Sequence, residues 1–318
     1  MTFLDYHSEV ARHVLWSILG VLVTASVTGF VLSRIIKSHG GRATVANLNA
    51  RTKSWWVMVL VILGALTWGP KGAVIIFGLI SFMAFREFIT VTPTRRADHI
   101  SLFVCFFLIL PYQYWLVYTT WYGMFAIMIP VYAFVLVPIL TVIAGDTMEF
   151  LERNARTQWG LMVCVYSISH IPMLQTLDMP ELNMGAAGLI LFLVIVTQGS
   201  DVLQYVWGKL IGKHPIAPKL SPKKTIEGFV GGTLSASMLG AVMHRMTPFN
   251  IWQAFVVSFV LCCLGFFGGL IMSAIKRERG IKDWGTLIEG HGGMMDRIDS
   301  LCFSAPFYFH VIRYFFER

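Results

Sequence analysis

Charge is the scarcest ingredient of this chain. Asp, Glu, Lys and Arg together make up 13% of its 318 residues, against roughly 25% in an ordinary soluble domain. With 56% of the residues hydrophobic and 14% aromatic, too little polar surface remains to cover a fold of this size in water. A soluble globular protein is thereby excluded, and the length is better divided into membrane spans of about 20 residues. Paired cysteine motifs are also missing. The five cysteines (Cys105, Cys164, Cys262, Cys263, Cys302) lie in or beside apolar runs and form no CxxC pair, which argues against a disulfide framework or a zinc site and for small packing residues. Low-complexity tracts and repeated halves are absent too, so nothing speaks for the inverted repeats of a transporter. The first apolar run, from about Val14 to Ile36, exceeds the roughly 7–15 residues of a cleavable signal core and reads as a span.

What is present is a series of apolar runs. They predict an all-α bundle of about ten transmembrane spans, centred on 14–36, 54–69, 72–89, 100–118, 121–144, 157–177, 186–206, 228–246, 252–275 and 301–316. Pro111, Pro130 and Pro138 fall inside the fourth and fifth runs, where bent or broken helices are expected. The net charge of +8 would invite a nucleic-acid reading in a soluble protein. Here it sits in loops between apolar runs, so no nucleic-acid partner is expected. With the N-terminus outside, alternate loops collect all the basic residues except Arg12, Lys71, Arg245, Arg313 and Arg318. This asymmetry supports both the span count and the orientation, and the basic loops also suit anionic lipids.

Chemistry is unevenly distributed. Residues 1–180 read as spans with little concentrated polarity, and 181–318 as the region that handles phosphate. Within that region, Asp201 is a carboxylate in an apolar span, where it needs a cation or donor. Lys209 and Lys213 follow, and then Ser221-Pro222-Lys223-Lys224-Thr225 with Glu227 and Gly228. Hydroxyls and ammonium groups at a helix start can hold phosphate oxygens beside free backbone N–H groups. The bland alternative is a solvated basic loop with Ser221 as a helix cap. Gly228, Gly232, Ala236 and Gly240 form a small-residue stripe that lets another helix approach closely.

A second constellation gathers Ser273, Lys276, Arg277, Lys282, Asp283, His291, Asp296, Arg297 and Asp299 into one loop between spans. On a helix, Asp296 and Asp299 share a face, and Gly290-His291-Gly292-Gly293 lets the backbone approach a ligand. Carboxylates for a hard cation, basic groups for phosphate oxygens and a glycine turn suit Mg²⁺-assisted phosphoryl or nucleotidyl transfer. Elsewhere, Glu87 follows Arg86 at a span end, where either the two pair at the interface or the carboxylate faces the polar cavity, with pairing the favoured expectation. His170 and His310 read as structural, and Trp55, Trp56, Trp115 and Trp121 as an interfacial aromatic belt.

At these motifs the sequence resembles the CDP-diacylglycerol synthase (phosphatidate cytidylyltransferase) family. The carrying residues are Ser273, Lys276-Arg277, Lys282-Asp283, His291-Gly292-Gly293 and Asp296-Arg297-Ile298-Asp299, with Asp201 and the 221–228 segment upstream. The resemblance implies a nucleotidyltransferase in phospholipid biosynthesis, in which phosphatidate or a related lipid phosphate attacks CTP to give a CDP-lipid and pyrophosphate. It implies a bacterial inner membrane with the site facing the cytoplasm, CTP and Mg²⁺, membrane lipids as surroundings, and leaves a homo-oligomer open. Under it, Asp296, Asp299 and Asp201 would hold the metal. Lys276, Arg277, Arg297, Asp283 and His291 would build the reacting site, while Lys209, Ser221, Lys223, Lys224, Thr225, Ser273 and Lys282 would hold the nucleotide. One departure stands out: the family usually carries an Asp four residues before the signature Ser, and here that position is Gly269. The alternative for a chain lacking that carboxylate is a paralogue that binds lipid or nucleotide, or a membrane partner, without turnover.

Overall fold

A computed structural model describes residues 9–35, 39–179, 182, 184–287 and 292–317. The described chain folds into ten helical segments, each falling on one of the expected apolar runs. They are α1 (Glu9–Ile35), α2 (His39–Thr67), α3 (Pro70–Val91), α4 (Arg96–Tyr118), α5 (Tyr122–Ile143), α6 (150–173), α7 (Gly185–Ile211), α8 (Ile226–Val242), α9 (Ile251–Glu278) and α10 (Met295–Phe316). Six are long and apolar enough to cross a membrane: α1, α3, α4, α5, α7 and α9. The other four are shorter or more polar. The protein is an all-α polytopic membrane bundle.

Local sequence explains the helix limits. Pro70 opens α3, where its missing N–H costs nothing. Asn250 and Gln253 cap α9 reciprocally, each side chain accepting from the other's backbone N–H at 2.9 Å. Two of the three expected proline distortions take the form of wide π turns, while Pro138 lies within the α-helical stretch Phe134–Ile143. One, Cys105–Ile109, runs up to Pro111, and another, Met128–Ala133, contains Pro130. A proline ring clashes with the carbonyl one turn back, and a locally widened turn relieves that clash. A third such turn, Met162–Ser167, precedes Pro172 in α6.

One continuous apolar core joins the first and second halves, because α10 packs against α3 and α6 as well as α7 and α9. The small-residue stripe on α8 does what its spacing predicts. A Cβ at Gly232 would lie 2.5 Å from the backbone N of Gln204 on α7, and one at Gly240 2.7 Å from Ser258 Cβ on α9, so α8 is wedged between its neighbours. At one end of α4, α5 and α6, the buried Arg153 guanidinium reaches Asp98 at 3.4 Å and Asp146 at 3.0 Å, and Arg95 joins Asp146 at 2.6 Å. Arg95, beside it, holds the Asp146 carboxyl down at about 2. Arg153 and Asp98 are both buried, and removing one partner of a buried pair typically costs about 3–5 kcal/mol, so this clasp fixes that face. His170 and His310 are structural: their Nδ1 atoms donate to the Tyr166 and Pro306 carbonyls at 2.8 and 2.7 Å.

Candidate functional site

Two connections on one face build the site. The first, between α7 and α8, is a small antiparallel hairpin, β1 (Pro215–Ala217) with β2 (Ser221–Thr225). It places Ser221 in a strand, so the helix cap is Thr225 instead. The Thr225 hydroxyl accepts from Gly228 N at 3.1 Å, satisfying one of the free N–H groups of α8. Glu227 closes the turn by accepting from the backbone N–H groups of Lys213 and His214 and from the His214 ring. Arg277, at the end of α9, donates to Leu220 O at 3.2 Å, which draws the two basic connections together on one face.

The second connection precedes α10. Lys276 Nζ donates to Asp296 Oδ1 at 2.7 Å, while Trp284 N and Gly293 N donate to Asp296 Oδ2 at 2.8 and 2.9 Å. Asp296 is buried and accepts from all three donors. Glu87, at the end of α3, accepts from Met294 N at 2.9 Å and Met295 N at 2.8 Å. Next to it, Phe88 stacks on the buried Trp284 ring at 5.5 Å. The favoured Arg86–Glu87 pair is therefore replaced, among the described residues, by two bonds that Glu87 accepts from backbone N–H groups more than 200 positions away. A Cβ at Gly285 would lie 2.9 Å from Glu87 Oε1, and one at Gly293 2.7 Å from its carboxyl carbon. These glycines make room for a protein carboxylate.

Between the two connections lies the charged centre. Asp201 on α7 faces Lys224, Arg297 and the Ser300 hydroxyl, and Asp299 accepts from Ser300 N at 2.9 Å. Gln198 Nε2 donates to Arg297 O at 3.1 Å and Ser300 Oγ at 3.3 Å, tying α7 to α10 at this level. The Lys224 ammonium sits 4.7 Å over the Phe266 ring. A Cβ at Gly269 would come within 2.9 Å of that ammonium and 3.7 Å of Asp299 Oδ2. The space a side chain at 269 would enter is thus already held by a lysine cation. Burial pulls the Lys224 ammonium below its ordinary pKa, and Asp201 and then Asp299 oppose that pull. Arg297 Nε is buried without a hydrogen-bond partner among the described residues, which is costly unless a ligand supplies an acceptor.

Asp201, Lys224, Gly269, Arg297 and Asp299 form the polar end of a cavity of about 1280 Å³. Its remaining wall is largely apolar and comes from α1, α2, α7 and the far end of α8, including Val14, Val21, Met58, Leu191, Val194 and Val242. Trp55 belongs to this wall, while Trp56 donates its Nε1 to Ser26 on α1 at 3.0 Å. Trp115 and Trp121 are exposed, as an interfacial belt requires.

The residues singled out by sequence separate into groups. Asp201, Lys223, Lys224, Thr225, Asp296, Arg297 and Asp299 reach the cavity wall, although the Thr225 hydroxyl also serves as the cap. Lys276 and Arg277 knit the connections together. Ser273 donates to Gly269 O at 2.7 Å within its own helix. Lys282 and Asp283 are exposed on the loop before α10. Lys209 is exposed, 5.9 Å over the Tyr205 ring, and away from the cavity wall. Ser221 is half-buried in β2. His291 lies outside the described residues. Asp201, Asp296 and Asp299 do not make one three-carboxylate metal group among the described residues, because Asp296 is committed to Lys276 and two backbone donors. Glu87 was legible as half of an ion pair or as a carboxylate facing the polar cavity, but not as an acceptor for the start of α10, and the α1–α2 wall carried no motif at all.

A cavity that ends in half-buried carboxylates, a lysine and an arginine with a spare donor, set within a bundle of membrane-capable helices, defines an integral membrane protein with a charged pocket. Residues 49–315 match the model of the cytidylyltransferase family, and the chain belongs to that family. An uncharacterized Escherichia coli protein, YnbB, is 34% identical over 302 residues, 94% of this chain and 97% of that protein. A phosphatidate cytidylyltransferase of Staphylococcus saprophyticus is 35% identical over 158 residues, covering 49% of this chain and 60% of its own length. One of Staphylococcus aureus is 31% identical over 193 residues, covering 58% and 74%.

Proposed function

We propose that the protein transfers the cytidylyl group of CTP to a membrane lipid phosphate, with phosphatidate as the acceptor. An acceptor phosphate oxygen attacks the α-phosphorus of CTP. The new P–O bond forms as the bond to the β-phosphate bridging oxygen breaks, and pyrophosphate leaves. The observation that carries this reading is the continuity of one cavity: a largely apolar wall shares a single cavity with Asp201, Lys224, Arg297 and Asp299. A lipid whose tail follows the wall brings its phosphate to that end. The names of the staphylococcal relatives support phosphatidate, and the family supports CTP.

A phosphate monoester has a second pKa near 6, so the acceptor is already ionised at neutral pH and needs no strong base. What remains is alignment and charge neutralisation. Arg297 Nε, without a partner among the described residues, and the Lys224 and Lys223 ammonium groups would hold phosphate oxygens. Lys282, Asp283, Arg277, Lys209 and Ser221, on or beside the same two connections, would meet the outer part of the nucleotide. Asp201 and Asp299 fit Mg²⁺ that arrives with the nucleotide, since that ion is commonly held by one or two carboxylates plus substrate phosphates. When bound there it would neutralise charge on the departing pyrophosphate. Asp296 would act through the loop it holds rather than as a ligand. The site is assigned to the cytoplasmic side of a bacterial inner membrane, where CTP is supplied.

The test is the purified protein in vesicles with CTP, Mg²⁺ and a panel of lipid phosphates differing in their apolar part. The expected result is CDP-lipid with equimolar pyrophosphate, greatest for phosphatidate. Turnover with another member of the panel only would move the acceptor. CTP binding without turnover on any acceptor would overturn the reading in favour of a non-catalytic nucleotide binder.

A further inference from the structure

The two backbone bonds made by Glu87 have a consequence for the charged centre. The first N–H groups of a helix lack partners within it and carry partial positive charge. Such an end is a common phosphate seat, but at the start of α10 three of the N–H groups are already taken by carboxylates. Glu87 accepts from Met294 N and Met295 N, and Asp296 accepts from Gly293 N. Glu87 is half-buried and closely packed: a Cβ at Gly285 or Gly293 would displace its carboxylate, and Phe88 stacks on Trp284 beside it. Trp284 N in turn donates to Asp296, so the end of α3 grips the start of α10 from two adjacent residues.

We infer that Glu87 is a positioning residue for the transfer reaction: it fixes the first turn of α10 and thereby the placement of Arg297 and Asp299 against Asp201 and Lys224. The inference rests on the proposed cytidylyl transfer. Lys223 and Lys224 stand on the hairpin, which is anchored by Thr225, Glu227 and Arg277 without any contribution from Glu87. Losing Glu87 leaves those lysines in place and loosens the α10 side. Capture of CTP by Lys223 and Lys224 on the hairpin therefore persists and dominates KM, while alignment of the groups on α10 fails. A second consequence is that nucleotide phosphates are held by side-chain cations and not by the α10 N-terminus.

The test compares Glu87→Ala, Glu87→Gln and an Arg86→Ala control in vesicles, following kcat and the KM for CTP together with hydrogen exchange of the 292–297 backbone in the full-length protein. The amide of Gln keeps one acceptor and loses the other. Expected for Glu87→Ala is a fall in kcat on the order of 100-fold, the cost of a misplacement of about 1 Å, with KM nearly unchanged and exchange at 292–297 accelerated. Glu87→Gln is expected between Ala and wild type, and Arg86→Ala at the wild-type level. Wild-type kcat in Glu87→Ala, unchanged exchange in Glu87→Gln, or kcat and KM shifting together would each overturn the inference. An inactive wild type in which Glu87→Ala still accelerates exchange would strike the transferase reading while leaving the structural grip standing.

Discussion

Placing a carboxylate at Gly269 is the perturbation on which the charged centre makes its sharpest statement. Gly269→Asp puts a Cβ 2.9 Å from the Lys224 ammonium and 3.7 Å from Asp299 Oδ2. The lysine must yield slightly and then pairs with the new carboxylate. Two unit charges about 4 Å apart at an effective dielectric of about 20 attract by about 4 kcal/mol, a ceiling before desolvation is subtracted. What the reaction loses is the contact of Lys224 with a phosphate. A charge-assisted hydrogen bond is worth about 1.5–3 kcal/mol net, and about 1.4 kcal/mol is tenfold, so kcat/KM should fall roughly 10- to 150-fold. Gly269→Ala, which adds bulk without charge, should fall far less. Lys224→Met should match Gly269→Asp, and the double variant should be no worse than either alone, because the two act on one charge. Initial rates of CDP-lipid formation against CTP concentration give these ratios. Turnover that rises in Gly269→Asp, or appears only there, would refute the view that Lys224 takes the part a carboxylate would otherwise fill.

Other consequences are simpler to read. Asp146 has a folded pKa of about 2 against an ordinary 3.8, a depressed carboxyl that stabilises the fold above the ordinary value. The difference in thermal midpoint between wild type and Asp146→Asn in detergent should therefore be constant at neutral pH and shrink as pH falls from about 4 towards 2; a pH-independent difference would contradict the clasp. Gly232→Ala forces a methyl into the Gln204 backbone and should cost at least the roughly 1–3 kcal/mol of overpacking, seen as a lower midpoint, whereas an unchanged midpoint would show that α8 can move away. Thr225→Ala should lose about 1 kcal/mol of capping, and Thr225→Ser should regain most of it; equal midpoints for all three would mean the cap is idle.

The helices were legible because each carries an apolar run, and a run needs no partner to be recognised. Even the distortions were foreseeable where proline marks them, as at Pro111 and Pro130. The hairpin at 215–225 was not, since Ser-Pro-Lys-Lys-Thr shows no alternation and the hairpin is held by the Glu227 carboxylate and by Arg277 at the end of α9. Both motif segments were found from their density of charge in an apolar chain, and the structure brings Asp201, Lys224, Arg297 and Asp299 to one cavity end. Side-chain roles within the motifs were less visible. Asp296 looks like a metal ligand until the donors Lys276, Trp284 N and Gly293 N are in place. Glu87 sits beside Arg86 in sequence, yet its partners are backbone N–H groups, which carry no signature. The contribution of α1 and α2 to the cavity depends on packing between distant spans, where one apolar residue reads like another.

The most direct test of the central claim follows the α-phosphate of CTP. Vesicles containing phosphatidate and the protein are supplied with CTP labelled at the α-phosphate or at the γ-phosphate. The account predicts α-label in the lipid fraction as CDP-lipid, γ-label in pyrophosphate alone, and loss of both products in Asp299→Asn and Arg297→Met. Label that stays in CTP with wild type, or product formation that survives both substitutions, would contradict it.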